Sequence, residues 1–112
     1  SDMRYKENIC PLENSLEKIC QIQGVNFNFI GDRDKSKQKH AGIIAQEVYK
    51  IIPEAIDTKN DYKWTANYNT FIGYLIESVK ELSQENKEMK EENKEMKNEI
   101  IEIKEFIENI KK

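Results

Sequence analysis

The sequence has neither a long apolar run nor a strong excess of one charge. Its 18 Lys and Arg residues are nearly balanced by 21 Asp and Glu residues, which leaves a formal net charge of −3. Nucleic-acid-binding proteins usually concentrate positive charge on one face, so we expect no nucleic-acid partner. No apolar run approaches the roughly 20 residues that a membrane-spanning helix needs, so we expect no membrane partner either.

Cysteine and histidine are also scarce. The chain has two cysteines, Cys10 and Cys20, and one histidine, His40. Because no CxxC pair or Cys/His metal spacing occurs, we expect neither a metal ion nor a cofactor. On or beside one helix the two thiols would lie about 15 Å apart along the axis, too far for a disulfide. We therefore predict half-buried, reduced thiols, as in a cytoplasmic protein.

A seven-residue repeat dominates the last forty or so residues. NKEMKEE at 86–92 is followed by NKEMKNE at 93–99, and a register with position a at Ile72 continues without a slip. This pattern predicts a coiled coil, whose apolar seam needs partner helices to bury it. The predicted oligomerisation seam consists of the a and d positions Ile72, Leu75, Val79, Leu82, Asn86, Met89, Asn93, Met96, Ile100, Ile103, Ile107 and Ile110.

The flanking charges predict how the helices are oriented. A Glu at position g precedes a Lys at position e by five residues in three pairs, Glu85–Lys90, Glu92–Lys97 and Glu99–Lys104. This is the g–e′ relation of parallel helices in register. Isoleucine at both a and d near the end shifts the preference from dimers toward trimers or tetramers, and asparagine in the seam fixes the register. We expect a parallel homotrimer, with a dimer as the alternative.

The remaining residues predict a small mixed unit, so the fold class is α+β. We expect a globular part over 1–68 and a long helix over 69–112, capped by Asn67 or Asn69. Trp64 and the tyrosines should lie in the core or in subunit contacts. The predicted elements are an extended start, a helix at 11–22 that begins at Pro11, strands at 25–29 and 40–44, a loop at 31–39, a helix at 45–52, and a hairpin formed by 55–57 and 62–67.

Five separated blocks of the sequence match, in the same order, the blocks of a known protein family. They are SDMRYKENI at 1–9, PL at 11–12 with LEKI at 16–19, GVNF at 24–27, HAGIIAQEV at 40–48 with Pro53 and Glu54, and Tyr68 followed by LIESVKEL at 75–82. In these blocks the chain resembles the chaperone of endosialidase family, the self-cleaving intramolecular chaperones at the C-termini of phage tail spikes, tail fibres and neck appendages. The irregular stretch before Tyr68 and the Lys/Asn-rich tail depart from the family's usual pattern.

The resemblance implies autoproteolysis immediately before Ser1. Family members use a Ser/Lys dyad, which maps onto Ser1 and Lys6, with Arg4 as a candidate cation beside the base. Asp2 could cap or orient the site, and His40 could either act in cleavage or make a structural hydrogen bond. Five residues do not place Ser1 and Lys6 on one helical face, so their approach would need a loop or a neighbouring subunit.

The resemblance also implies partners and a location. The partners would be two further copies of the chain and an upstream passenger of the same polypeptide. Assembly would take place in the host cytoplasm, and the cleaved chaperone would be absent from the mature virion or only loosely attached to it. Two other classes remain: a non-catalytic coiled-coil trimerisation module, and a dimeric DNA-binding zipper. The zipper needs a basic stretch before the heptads, where residues 67–81 hold only Lys80.

Overall fold

The computed structural model describes residues 1–112, which form two compact units, Ser1–Ser78 and Val79–Lys112. Short helices and strands are followed by one long C-terminal helix, as the predicted α+β class requires. The helices and strands in chain order are α1 (Ser15–Cys20), β1 (Val25–Phe27), β2 (His40–Gly42), α2 (Ala45–Tyr49), β3 (Ile56–Asp57), β4 (Thr65–Ala66) and α3 (Thr70–Lys111), with 3₁₀ turns at Met3–Tyr5 and Pro53–Ala55.

The four strands form two antiparallel pairs. Strand β1 pairs with β2, and Phe27 lies opposite His40. Strand β3 pairs with β4, and Ile56 lies opposite Ala66. All four strands were predicted, but each is shorter than its predicted segment.

Where β1 ends, hydrogen bonds from a side chain replace the backbone hydrogen bonds between the strands. The amide nitrogen of Asn28 donates hydrogen bonds to the carbonyl oxygens of Lys37 and Gln38, at 3.1 and 3.0 Å. These bonds hold together the two ends of the charged loop at 31–39. They also explain why the strand predicted to reach residue 29 stops at Phe27.

The first helix begins later than its proline suggests. The predicted start at Pro11 is wrong, because Asn14 has a φ of 56° in the left-handed region and no α-helix passes through it. Helix α1 therefore starts at Ser15. Cys10 and Cys20 are both free and exposed, so the predicted half-burial of the thiols is also wrong.

A small core holds the first unit together. Its buried side chains come from α2, the following turn, β3 and α3, and they are Val48, Ile52, Ala55, Ile56 and Tyr74. Trp64 packs against this cluster, as expected. Tyr62 is fully exposed, so it lies outside this core, and its alternative place in a subunit contact stays a prediction. A core of this size gives a unit of modest stability.

The long helix starts where its asparagines predict. The side-chain oxygen of Asn67 accepts from the backbone N–H of Asn69 at 3.1 Å, and the N–H of Thr70 donates to the Asn67 carbonyl. Helix α3 then begins at Thr70. Neither this helix nor any other combines the length and apolar character needed to cross a membrane.

Tyr74 makes a partly buried polar contact in the first unit. The side chain is only 3% exposed, and its hydroxyl donates a hydrogen bond to the carboxylate of the exposed Glu54. Burial, together with this carboxylate, raises the pKa of Tyr74 from 10.0 to about 12. The folded state therefore retains the tyrosine proton at pH values where the unfolded chain loses it.

Removing this hydroxyl should change both stability and its pH dependence. Since the unfolded tyrosine ionises first, the free energy of unfolding should fall as the pH rises from about 10 to about 12. Tyr74→Phe should abolish this pH dependence. Near neutral pH it should lower the free energy of unfolding by only about 1 kcal/mol, because Glu54 stays solvated. Urea unfolding followed by the fluorescence of Trp64 measures both effects. The exposed control Tyr62→Phe should behave like the unmodified chain, and an unchanged alkaline slope in Tyr74→Phe would refute this role.

Candidate functional site

The N-terminal residues form a tight turn rather than the predicted extended segment. The backbone N–H of Tyr5 donates to the carbonyl of Asp2 at 3.2 Å, and that of Lys6 donates to the carbonyl of Met3 at 3.1 Å. Ser1 and Lys6 therefore flank one turn, and both are exposed. No hydrogen bond joins their side chains within the single chain.

Asp2 and Arg4 explain why this segment turns. The Asp2 carboxylate accepts from the backbone N–H of Arg4 at 2.9 Å, which caps the turn, and from the Arg4 guanidinium at 2.7–3.2 Å. The guanidinium lowers the pKa of the Asp2 carboxyl, and the carboxylate raises the pKa of Arg4. Asp2 thus caps the turn, and its predicted role in capping or orienting the catalytic site stays a prediction. The charge of Arg4 is balanced by Asp2, which makes Arg4 a weaker candidate cation for the base Lys6.

His40 contacts the loop that precedes it and the neighbouring strand β1 with the residues that follow it. Its Nε2 lies 2.7 Å from an Asp34 carboxylate oxygen, and its ring stacks on Phe27 with 5.6 Å between centroids. The ring also meets Phe29 edge-on at 4.9 Å. The hydroxyl of Ser36 and the ring of His40 lower the pKa of Asp34. These contacts match the predicted structural hydrogen bond at the start of a strand, and none of them reaches Ser1 or Lys6.

Sequence reasoning did not foresee the pair of Asp34 and His40. The signal was present, because Asp34 lies within the polar loop at 31–39, six residues before the only histidine. No group of three or more His, Cys, Asp or Glu side chains is placed to hold a metal ion.

The predicted seam is uncovered in the single chain. All its apolar members are exposed, from 44% at Ile107 to 67% at Ile110, and Asn86 and Asn93 are exposed as well. No residue of 79–112 is buried. The six charged residues of the predicted g–e′ pairs are likewise exposed and form no ion pair within the chain. An apolar surface of this extent is typical of a protein interaction site.

Comparison of the sequence with protein families identifies the family of this chain. The model described as chaperone of endosialidase matches residues 1–57, just over half of the chain. The chain belongs to the chaperone of endosialidase family. This confirms the resemblance seen in the sequence blocks. The matched region of the chaperone contains the turn with Ser1, Asp2 and Lys6, and it also contains His40.

Curated relatives of the chaperone come from bacteriophages. The long tail fibre proteins Gp37 of Enterobacteria phages K3 and T2 are each 36% identical over 90 residues, which cover 74% of this chain and 7% of the relative. The Gp37 protein of Escherichia phage AR1 is 35% identical over 87 residues, or 72% of this chain and 8% of the relative. The chain thus spans less than a tenth of the length of these relatives.

Proposed function

We propose that this chain is the C-terminal intramolecular chaperone of a phage long tail fibre. It brings three copies together through α3, supports folding of the upstream fibre, and then releases itself by cutting before Ser1. Family membership and the similarity to long tail fibre proteins support the role in fibre assembly. The observation that carries the proposal is the uncovered apolar seam on a helix of 42 residues.

The seam supports a parallel trimer. An exposed stripe of a and d side chains is stabilised only when partner helices cover it. Isoleucine fills both a and d at 100, 103, 107 and 110, a composition that favours more than two helices. The unpaired Glu and Lys side chains at g and e are then available between neighbouring helices that run parallel and in register. Residues 1–68 form the globular part of this chaperone, and residues 69–112 form its stalk.

The turn supports a self-cleaving reaction that occurs once per chain. Lys6 accepts the proton of the Ser1 hydroxyl, and Oγ attacks the carbonyl carbon of the residue just before Ser1. The bond from that carbon to the Ser1 nitrogen breaks, the proton passes to this nitrogen, and an ester to Oγ remains. Water then hydrolyses the ester, which leaves a carboxylate on the upstream fibre and a free amino group on Ser1. His40 lies with Asp34 and keeps a structural role.

The partners and location follow from this reaction. The upstream fibre of the same polypeptide is the passenger, and the other two copies of the chain complete the trimer. Assembly and cleavage take place in the infected host cell's cytoplasm. After cleavage the chaperone is absent from the mature virion or only loosely associated with it.

A second candidate function is a trimerisation module without catalysis. The exposed positions of Ser1 and Lys6, with no hydrogen bond between them, suit this alternative in a single chain. The two functions differ in what happens to the bond before Ser1.

Release from a longer chain tests the proposed function. The natural gene segment is expressed with about twenty codons upstream of Ser1, and the products are followed by gel electrophoresis and N-terminal sequencing. We expect the unmodified chain to release a fragment that begins at Ser1, while Ser1→Ala stays uncut. A trimerisation module without catalysis leaves both chains uncut.

Changing Asp2 should slow this cleavage without abolishing it. Asp2→Ala removes both the cap and the partner of Arg4, so Ser1 and Lys6 lose their fixed turn. We expect the rate of release to fall by roughly tenfold, because small misplacement of reacting groups is costly. Asp2→Asn keeps a capping oxygen, so its rate of release should lie between those of the unmodified chain and Asp2→Ala. Time courses of release measure the rates, and equal rates for all three chains would show that the turn does not matter.

A further inference from the structure

An apolar pocket opens on the surface of the first unit. It has a volume of about 220 Å³ and is lined by side chains of α1, the segments after α1 and β2, the segment before α3, and the start of α3: Ile19, Ile22, Ile43, Tyr68, Phe71 and Leu75. A smaller cavity lined by similar side chains admits a molecule as large as benzene, so this one has room for an aliphatic side chain. Leu75 is 48% exposed in the single chain, so the pocket is open to a neighbour.

The heptad register indicates which side chain faces the pocket. Leu75 is at position d, Phe71 is at position g and Ile76 is at position e. Phe71 and Ile76 are five residues apart, the same g–e′ relation that joins Glu85 to Lys90. In parallel helices in register, Ile76 of one copy therefore lies beside Phe71 of the next.

Ile76 has no place in the core of its own chain. It is 54% exposed and does not pack against the buried cluster. At this one level the g–e′ pair is apolar, while the pairs at 85–90, 92–97 and 99–104 are charged. An apolar e residue beside an apolar pocket loses its exposed surface only by entering it.

We propose that Ile76 of a neighbouring copy fills the pocket. The inference rests on the proposed parallel assembly and adds, to the g–e′ contact with Phe71, contacts with the pocket residues outside the long helix. It joins α3 of one copy to α1 and the β2 end of the next. The globular unit of each chain is then completed by its neighbour, so folding of this unit and assembly of the stalk support each other.

Thiol crosslinking with a short bismaleimide in the full chain tests the contact, because g and e′ positions are neighbours but their Cβ atoms lie too far apart for a direct disulfide. Cys10→Ser and Cys20→Ser remove the exposed native thiols. In this background Phe71→Cys with Ile76→Cys should give crosslinked ladders of up to three chains, and each single variant can join at most two. Glu85→Cys with Lys90→Cys serves as the matched pair for the stalk. If only the stalk pair crosslinks, the pocket has another occupant and the inference is wrong, while parallel assembly stands. If neither pair crosslinks, the parallel assembly fails too.

Because Phe71 also packs against the core, a second measurement leaves it intact. Ile76→Ala should lower the thermal midpoint of the assembled protein by about 5 °C or more. Ile101→Ala is the matched control, since Ile101 is 53% exposed but lies at position b, outside the seam. Equal midpoints for Ile76→Ala and Ile101→Ala would overturn the proposed contact.

Discussion

Combining Ile100→Asp with Ile103→Asp is expected to convert the assembled protein into single chains. These residues lie at consecutive a and d positions, and both are exposed in the single chain. In a trimer each substitution places three carboxylates in one buried layer, where unpaired charge is very costly. We expect the dissociation constant to rise by at least about a thousandfold. Sedimentation equilibrium would then report the mass of one chain instead of three.

The control for this variant changes the same residue type on the outer face. Ile101→Asp alters an isoleucine of similar exposure at position b, so it should leave the trimer intact. Circular dichroism at matched concentration shows whether α3 remains helical. A seam variant that still sediments as a trimer would mean that the helices associate through another face.

Replacing Lys6 is expected to stop cleavage. Lys6→Ala removes the general base of the proposed dyad, a change that should slow release by about a thousandfold. Lys6→Arg should not restore the reaction, because a guanidinium stays protonated and cannot accept the proton of Ser1. The measurement is the amount of fragment released from the extended chain over time.

Two comparisons separate a loss of chemistry from a loss of folding. Lys59→Ala removes a lysine from an exposed turn of the same unit and should cut at the normal rate. The urea midpoint of Lys6→Ala should match that of the unmodified chain, since Lys6 is exposed. Normal cleavage by Lys6→Ala would assign the base to another group.

Assembly and cleavage should be coupled. The turn alone does not join Ser1 to Lys6, so a neighbouring subunit is expected to complete their approach. The extended chain with Ile100→Asp and Ile103→Asp should therefore cut more slowly than the unmodified chain. Cleavage by this variant at the full rate would show that each chain acts alone.

The sequence predicted the long helix far better than the short elements. Six heptads in one register repeat the same information, and the helix begins at Thr70, one residue from its predicted start. Helix α1 has only six residues, so one asparagine in the left-handed region was enough to move its start from Pro11 to Ser15. Short elements depend on single side-chain contacts, which periodicity does not encode.

In the candidate site too, the sequence predicted some features, while others depend on single side-chain contacts. The resemblance makes Ser1 and Lys6 the candidate dyad, with Asp2 and His40 as further candidates, and these roles stay predictions. It did not reveal the turn, because that depends on Asp2 reaching both the backbone and the guanidinium of Arg4. A seam and a dyad that are completed by other copies leave no contact within one chain.

The most direct test of the proposed function is the native mass of the fragment released from the extended chain. We expect a species of three chains, each of which begins at Ser1. A released fragment that is a single chain would contradict the trimer, and an unmodified chain that stays uncut would contradict the self-cleaving chaperone.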